Sequence, residues 1–211
     1  ELQHKMLVER TEYKMLQAQI NPHFLYNTLD TMSGIANAQN CTLVSGMCHS
    51  LSAIFRYSLN MTDELSTMQN EMGHVRNYLY VMDVRNGASI TYDYQIDSET
   101  LLDRLPRICL QPVVENALEH GLDVKEEGDK ILQLSFLDAG DVVLLRIEDN
   151  GMGMEQSVAE SLVTYQAEGY GLKNVNDRIC LLYGEEYKIR ISSSVGKGTV
   201  VEMRIPKGET L

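Results

Sequence analysis

The spacing of apolar residues changes once along this chain, and that change limits the fold more than any single motif. Leu2, Met6, Glu9, Tyr13, Leu16 and Ile20 are separated alternately by four and three residues, a coiled-coil seam with one charged member. A helical stretch follows around Met47, Leu51 and Ile54, and a second such series runs through Met68, Met72, Val75, Leu79 and Met82. The plainest reading of these methionines is core. Each stripe needs a partner helix. Residues 1–20 therefore predict a leading coiled-coil helix, and residues 21–86 predict a helical hairpin that pairs with a second copy as a four-helix bundle. Asn86-Gly87 is a strong turn signal and marks the boundary.

Residues 87–211 carry a different rhythm. Residues 90–96 alternate as a strand, residues 107–121 have helical spacing, and ILQLSFLD and DVVLLRIED predict a strand hairpin turned at Gly140-Asp141. A helix over 171–183 precedes two more strands, YKIRISSS and GTVVEMRIP. Neighbouring strands with helices between them predict an α+β sandwich, helices covering one face of a mixed sheet. The acidic stretch DVKEEGDK reads as a solvated loop.

Composition removes several classes of function. The formal net charge of −12 opposes the phosphate backbone of nucleic acid or an anionic membrane surface as a partner, and suits a basic protein surface better. Cys41, Cys48, Cys109 and Cys180 form no Cys-x-x-Cys pair and lack histidines at zinc-finger spacing, so reduced cytosolic thiols are expected. No apolar run approaches the ~18 residues of a membrane span, and no signal peptide opens the chain. Because it begins at Glu1 in mid-heptad, the chain reads as a piece of something longer.

The stretch QINPHFLYNTLD places a proline directly before a lone histidine. On a helical wheel Asn27, Asp30 and Gly34 share the face of His23, whereas Leu25, Leu29, Met32 and Ala36 lie opposite. His23 thus heads a polar stripe and is expected to be exposed rather than packed. Pro22 removes a backbone donor, so the helix either kinks there or restarts with Asn21 as its cap. An exposed imidazole is substantially neutral near pH 7, and neutral imidazole is a nucleophile. The next residue is Phe24, so no acid stands beside His23 as a base. Asn27 is placed to orient a water or a phosphoryl oxygen, or is simply a surface amide.

Three stretches of the second half point to one ligand. In LQPVVENALEHGL, Asn116 and His120 sit one turn apart beside an apolar stripe. The amide oxygen of Asn116 suits magnesium, and His120 suits phosphate. In EDNGMGM, Asp149 ends an apolar strand and can accept the exocyclic amino hydrogen of adenine, where guanine would oppose it with a carbonyl. That selects ATP over GTP. Gly151 and Gly153 allow tight backbone beside the base. In EGYGLKNV, Gly169 and Gly171 open a helix whose free amides favour phosphate oxygens. Residues 150–170 between these motifs are expected to form a mobile lid, and Thr199 in GKGT to support Asp149 through a water.

Together NPHFLYN, FRYSL, VRNYL, QPVVENALEHG, DNGMGM, GYGLKNV and GKGT resemble the cytoplasmic core of sensor histidine kinases of two-component systems. The resemblance covers nearly the whole chain. It implies a phosphotransfer hairpin with His23 as phosphoacceptor, and a Bergerat-type ATP-binding domain over 87–211, shared with gyrase and heat-shock 90 ATPases. It also implies Asn116 as magnesium ligand, Asp149, Gly151 and Gly153 as adenine site, and Gly169 and Gly171 as lid glycines. Further implications are a homodimer, a response-regulator receiver domain as partner, and sensor and membrane segments preceding this fragment, which itself makes no membrane contact. VMDVRNG departs from the commoner pattern of Gln and Arg-Phe at the interdomain linker.

Hydrolysing members of that superfamily carry a water-activating glutamate four residues before the asparagine. Here that position is Pro112. The expected function is thus ATP-dependent autophosphorylation on His23, then transfer to an aspartate of the regulator. The rivals are a silent ATP-binding signalling module, a Bergerat-fold ATPase, and a serine kinase acting on another protein.

Overall fold

The computed structural model describes residues 21–59, 63–87, 89–163 and 171–208. The predicted coiled-coil seam from Leu2 to Ile20 lies outside the described residues. Backbone contacts divide the chain into two compact units. The first contains the hairpin helices and Asn77–Arg85; the second contains Thr62–Arg76 and everything from Asn86 onward.

In the first unit, helix α1 (Pro22–Ala38) and helix α2 (Thr42–Leu59) pack against each other. Asn21 caps α1 by accepting from Phe24 N at 3.2 Å, with Pro22 at the first helical position where no amide is needed. Proline therefore starts this helix instead of kinking it. The two helices approach closely because their facing residues are small. Ala36, Ser45, Cys48 and Ser52 are buried, and Ser33 Oγ meets Ser45 Oγ at 2.8 Å. The predicted apolar face of α1 is only partly covered. Leu25 and Leu29 are half-buried and Ala36 is buried, but Met32 is 50 % exposed. Met32 instead joins Phe24, Ile35, Leu43 and Val44 among the exposed apolar residues of a single chain.

Helix α3 (Met68–Asn86) divides its residues between the two units. Its predicted stripe, Met68, Met72, Val75, Leu79 and Met82, is buried throughout. In the first unit the hydroxyl of Tyr80 occupies the space a side chain at Gly46 would need.

The second unit is built on a sheet of β2 (Ile90–Ile96), β4 (Lys130–Asp138), β5 (Val142–Asp149), β6 (Arg190–Ser194) and β7 (Gly198–Pro206), in the order β2-β4-β5-β7-β6. β2 pairs parallel with β4, and the remaining pairs are antiparallel, so the sheet is mixed as expected. The predicted hairpin turn at Gly140 has φ of +79°, which glycine adopts without cost. A short ribbon of β1 (Leu65–Thr67) and β3 (Arg104–Pro106) leads into α3 and into helix α4 (Leu110–Asn116). Leu132, Leu134, Phe136, Leu145, Ile147, Val201 and Met203 bury one face of the sheet with Leu110, Val114 and Leu118 from α4 and the turn after it.

Two elements differ from their predicted form. The helix predicted over 107–121 starts at Leu110 and widens into a π-helical turn over Ala117–Leu122. The strand predicted from 187 starts at Arg190, because Glu185–Tyr187 form a 3-10 turn after Gly184 ends helix α6 (Gly171–Tyr183). Helix α5 (Gln156–Ser161) lies against β6, where Gln156 accepts from Ser193 N and donates to Ile191 O.

Candidate active site

Asp149 ends β5 and is only 4 % exposed. Its Oδ1 accepts from Gly151 N at 2.8 Å, which bends the chain sharply out of the strand. Burial pushes this carboxyl above the usual carboxylate range, while the backbone amides of Gly151 and Thr199 pull it partly back. A desolvated carboxylate with few partners is a strong acceptor for a ligand N–H.

The glycines around it are required by close approach. A side chain on Gly151 would collide with the carbonyl of Gly121, one on Gly153 with the carbonyl of Ser194, and one on Gly198 with the carbonyl of Asp149. A methyl at Gly121 would lie 2.6 Å from Asp149 Oδ1. Met152 N donates to the Gly121 carbonyl at 3.0 Å, so the π turn is tied directly to the Asp-x-Gly-x-Gly loop. A wide turn there lets the chain pass over the carboxylate.

Asn116 ends α4 and donates Nδ2 to the carbonyl of Pro112 at 2.6 Å, a bond that does not involve Oδ1. Gly171 opens α6 against the same turn: a methyl on it would lie 3.1 Å from Pro112 Cβ and 3.6 Å from Asn116 Nδ2. Asn116, Asp149, Gly151 and Gly171 are thus brought around one end of the sheet by α4, β5 and α6. His120 is exposed on the π turn. Thr199 sits opposite Asp149 in register, and its hydroxyl meets Ser193 Oγ at 2.9 Å on the outer strand pair. Gly169 lies outside the described residues.

Sequence reading passed over the group that sets the start of α4. Glu71 on α3 is fully buried and accepts from Ile108 N at 2.6 Å, Cys109 N at 3.0 Å and Leu110 N at 3.2 Å. These are orphan donors of a helix whose own cap residue, Cys109, supplies no side-chain bond. They also hold Ile108 at φ +54°, a conformation a β-branched residue rarely adopts. From the same helix His74 hydrogen-bonds Gln111, which donates to Glu115 at 2.6 Å. Burial pushes Glu115 up and His74 down from their ordinary values. No local signal marks Glu71, whose partners lie more than 30 residues downstream.

In the other unit His23 is exposed in the first turn of α1. Asn27 Nδ2 lies 3.1 Å from Nδ1 and 3.2 Å from Nε2 of the ring, and Tyr26 meets the ring edge-on at 6.0 Å. At most one of these ring nitrogens can accept from the amide, and which one depends on the tautomer.

The two halves match two families. Residues 11–90 match the family described as Histidine kinase, and residues 103–209 match the Histidine kinase-, DNA gyrase B-, and HSP90-like ATPase family. The chain belongs to the histidine kinases. It is similar to the sensor histidine kinase YesM of Bacillus subtilis, with 36 % identity over 96 % of this chain and 34 % of that protein. The sensor histidine kinase BtsS of Escherichia coli is 31 % identical over 96 % of this chain and 34 % of its own length. The sensor protein LytS of Bacillus anthracis is 33 % identical over 98 % of this chain and 36 % of its own length. The chain thus spans about a third of the length of the curated relatives it matches. Its fold is similar to that of the histidine kinase domain from the Erythrobacter litoralis EL346 blue-light activated histidine kinase. That match has a TM-score of 0.53 at 16 % identity and covers 93 % of each chain. The catalytic domain of histidine kinase ThkA superposes with a TM-score of 0.51 at 18 % identity, covering 68 % of this chain and 95 % of that one. No helix among the described residues is long and apolar enough to cross a membrane.

Proposed function

We propose that this chain is the kinase core of a two-component sensor, transferring the γ-phosphoryl of ATP to His23 and then to an aspartate on the receiver domain of a response regulator. Residues 1–20 are the signalling segment, 21–86 the dimerisation and phosphotransfer segment, and 87–211 the ATP-binding domain. The exposed apolar residues of α1 and α2 are the homodimer face. The core lies on the cytoplasmic side of a membrane-anchored protein, touching neither lipid nor nucleic acid.

Adenine is read by Asp149, with Gly151 and Gly153 leaving room for the base and Thr199 bracing the strand beside it. The amides that open α6 at Gly171, together with Gly169 and His120, hold phosphate oxygens. Asn116 Oδ1 is the protein oxygen assigned to magnesium. That donor set fits an ion carried in by the triphosphate with its own waters, since among the described residues no three His, Cys, Asp or Glu side chains cluster. Bound there, magnesium supplies neutralisation of charge on the β- and γ-oxygens.

Transfer needs positioning more than covalent chemistry. A lone-pair nitrogen of neutral His23, oriented by Asn27, forms the N–P bond as the bond from the γ-phosphorus to the bridging oxygen breaks. ADP leaves with that electron pair, and the proton on the other ring nitrogen goes to solvent.

One observation carries the reading. Pro112 stands one turn before Asn116, with its carbonyl taken by the Asn116 amide, so no carboxylate is present there to activate water. The nucleophile on offer is the exposed imidazole. Label from γ-labelled ATP is expected to be acid-labile, and absent from His23→Gln. Acid-stable label, or turnover that persists without His23, contradicts the proposal.

A further inference from the structure

His23 is exposed in the first turn of a helix, where an imidazole ordinarily samples several rotamers. Transfer to a phosphorus demands one orientation, and beside the Asn27 amide, which lies near both ring nitrogens, that calls for a further restraint on the ring. That restraint comes from across the hairpin. Tyr26 meets His23 at an interplanar angle of 82°, an edge-to-face contact. The guanidinium of Arg56, on α2, lies over the Tyr26 ring at 5.1 Å from its centroid. Arg56 is itself held at two points, by Asp30 Oδ2 at 3.1 Å and by Ser52 Oγ at 3.4 Å.

The line Asp30, Arg56, Tyr26, His23 thus begins and ends on α1 and passes through α2. Stability does not account for it. The ion pair is open to water, with side-chain exposures of 60 % for Arg56 and 48 % for Asp30, and pairs of that kind contribute little to folding. What such a fork contributes is geometry. A planar guanidinium pinned at one side can keep an aromatic ring in one rotamer through cation–π attraction, as an ammonium on a flexible stem does poorly.

We infer that Arg56 is a positioning residue for the phosphoacceptor, acting through the Tyr26 ring to hold the His23 imidazole in the orientation that attacks phosphorus. Arg56 touches neither nucleotide nor reacting nitrogen in this role. The inference rests on the reading of His23 as phosphoacceptor, and it adds the device that makes an exposed histidine a competent one. It also gives a role to Arg56 of the second hairpin helix, which the nucleotide chemistry does not use.

The test uses single-turnover autophosphorylation across ATP concentrations, with thermal unfolding alongside. Arg56→Met is expected to slow the maximal rate by about 10- to 100-fold, leaving the half-saturating ATP concentration and the unfolding temperature near wild type. Tyr26→Leu should fall as far, and Tyr26→Phe, which keeps the ring, should restore most of the rate. Three-bond couplings of His23 measured by NMR should report one χ1 rotamer in wild type and an average in Arg56→Met. Should Arg56→Met fail to fold, Asp30→Asn releases the guanidinium from its other end, and a slower rate with averaged His23 couplings is again expected.

Potassium phosphoramidate, which phosphorylates accessible imidazoles without the ATP site, separates the two claims. Equal chemical labelling of His23 in wild type and Arg56→Met, with unequal labelling from ATP, supports the inference. If wild type gains no label on His23 from ATP, the proposed function itself fails. If wild type labels His23 and Arg56→Met labels at the same rate, or if Tyr26→Phe loses as much as Tyr26→Leu, this inference alone is overturned.

Discussion

Asn116 Nδ2 donates to the carbonyl oxygen of Pro112 at 2.6 Å, one helical turn earlier. The bond engages the amide nitrogen and does not involve the amide oxygen, the atom proposed above to meet magnesium. Proline at 112 has no amide hydrogen to lose and no side-chain acid, so that position, one turn before Asn116, carries no carboxylate.

Asn116→Ala removes that ligand atom and keeps the helix. Affinity for magnesium-ATP should fall by roughly 10- to 100-fold, whereas affinity for ATP in the presence of a chelator should barely change. Titration calorimetry with and without magnesium checks the difference, and an equal loss in both conditions would remove Asn116 from the metal site.

Asp149→Asn separates function from stability. Burial raises the Asp149 carboxyl in the folded state, so the folded chain holds this proton more readily than the unfolded chain does. Its contribution is therefore fully favourable below the unfolded value and is lost as pH rises through the raised folded value. The ligand-free variant should be more resistant to urea than wild type at pH 7.5, with the gap closing as the pH is lowered toward 4. Adenine-nucleotide affinity should drop by about 10- to 100-fold at neutral pH, since the amide offers a weaker acceptor than a charge.

Glycines with opposite surroundings should respond with opposite sign. Gly198 has φ +100°, and a methyl on it would strike the Asp149 carbonyl, so Gly198→Ala should destabilise by about 3 kcal/mol or more and weaken nucleotide binding. Gly34 lies inside α1 with nothing near its missing side chain, so Gly34→Ala should stabilise by about 1 kcal/mol. Denaturant midpoints for the pair give the contrast directly.

Glu71→Ala strips the amides of Ile108, Cys109 and Leu110 of their acceptor at the start of the helix that carries Asn116. A loss of about 3 kcal/mol is expected, with Glu71→Gln intermediate because it retains one acceptor oxygen. Ile108, relieved of the bond that holds it at positive φ, should move, and nucleotide affinity should fall with it. Urea unfolding and calorimetry read the two effects, and a stable variant with normal affinity would refute the capping role.

Much of the architecture was legible because it depends on local pattern. The stripe from Met68 to Met82, the turn at Gly140 and the strands from Ile90 to Ile96 and Val142 to Asp149 all follow from spacing and glycine placement. Pro22 left two outcomes open, and the Asn21 side chain, reaching Phe24 N, settled them in favour of a helix start. The limits are equally physical. Met32 falls on the apolar side of the wheel yet stays exposed, since a wheel says which residues share a face but not what covers it.

The order of residues alone determined where the chain changes from helix to sheet, that His23 heads a polar stripe, and that a carboxylate, an amide and paired glycines recur at the spacings a nucleotide site uses. Those properties belong to neighbours a few bonds apart, so periodicity and backbone preference suffice to read them. Only the tertiary structure decided that Gly121 must lack a side chain because Asp149 lies against it, that Glu71 caps a helix far along the chain, and that Arg56 stands over Tyr26. Each of these is a contact between distant segments, and its existence depends on packing that no local pattern encodes.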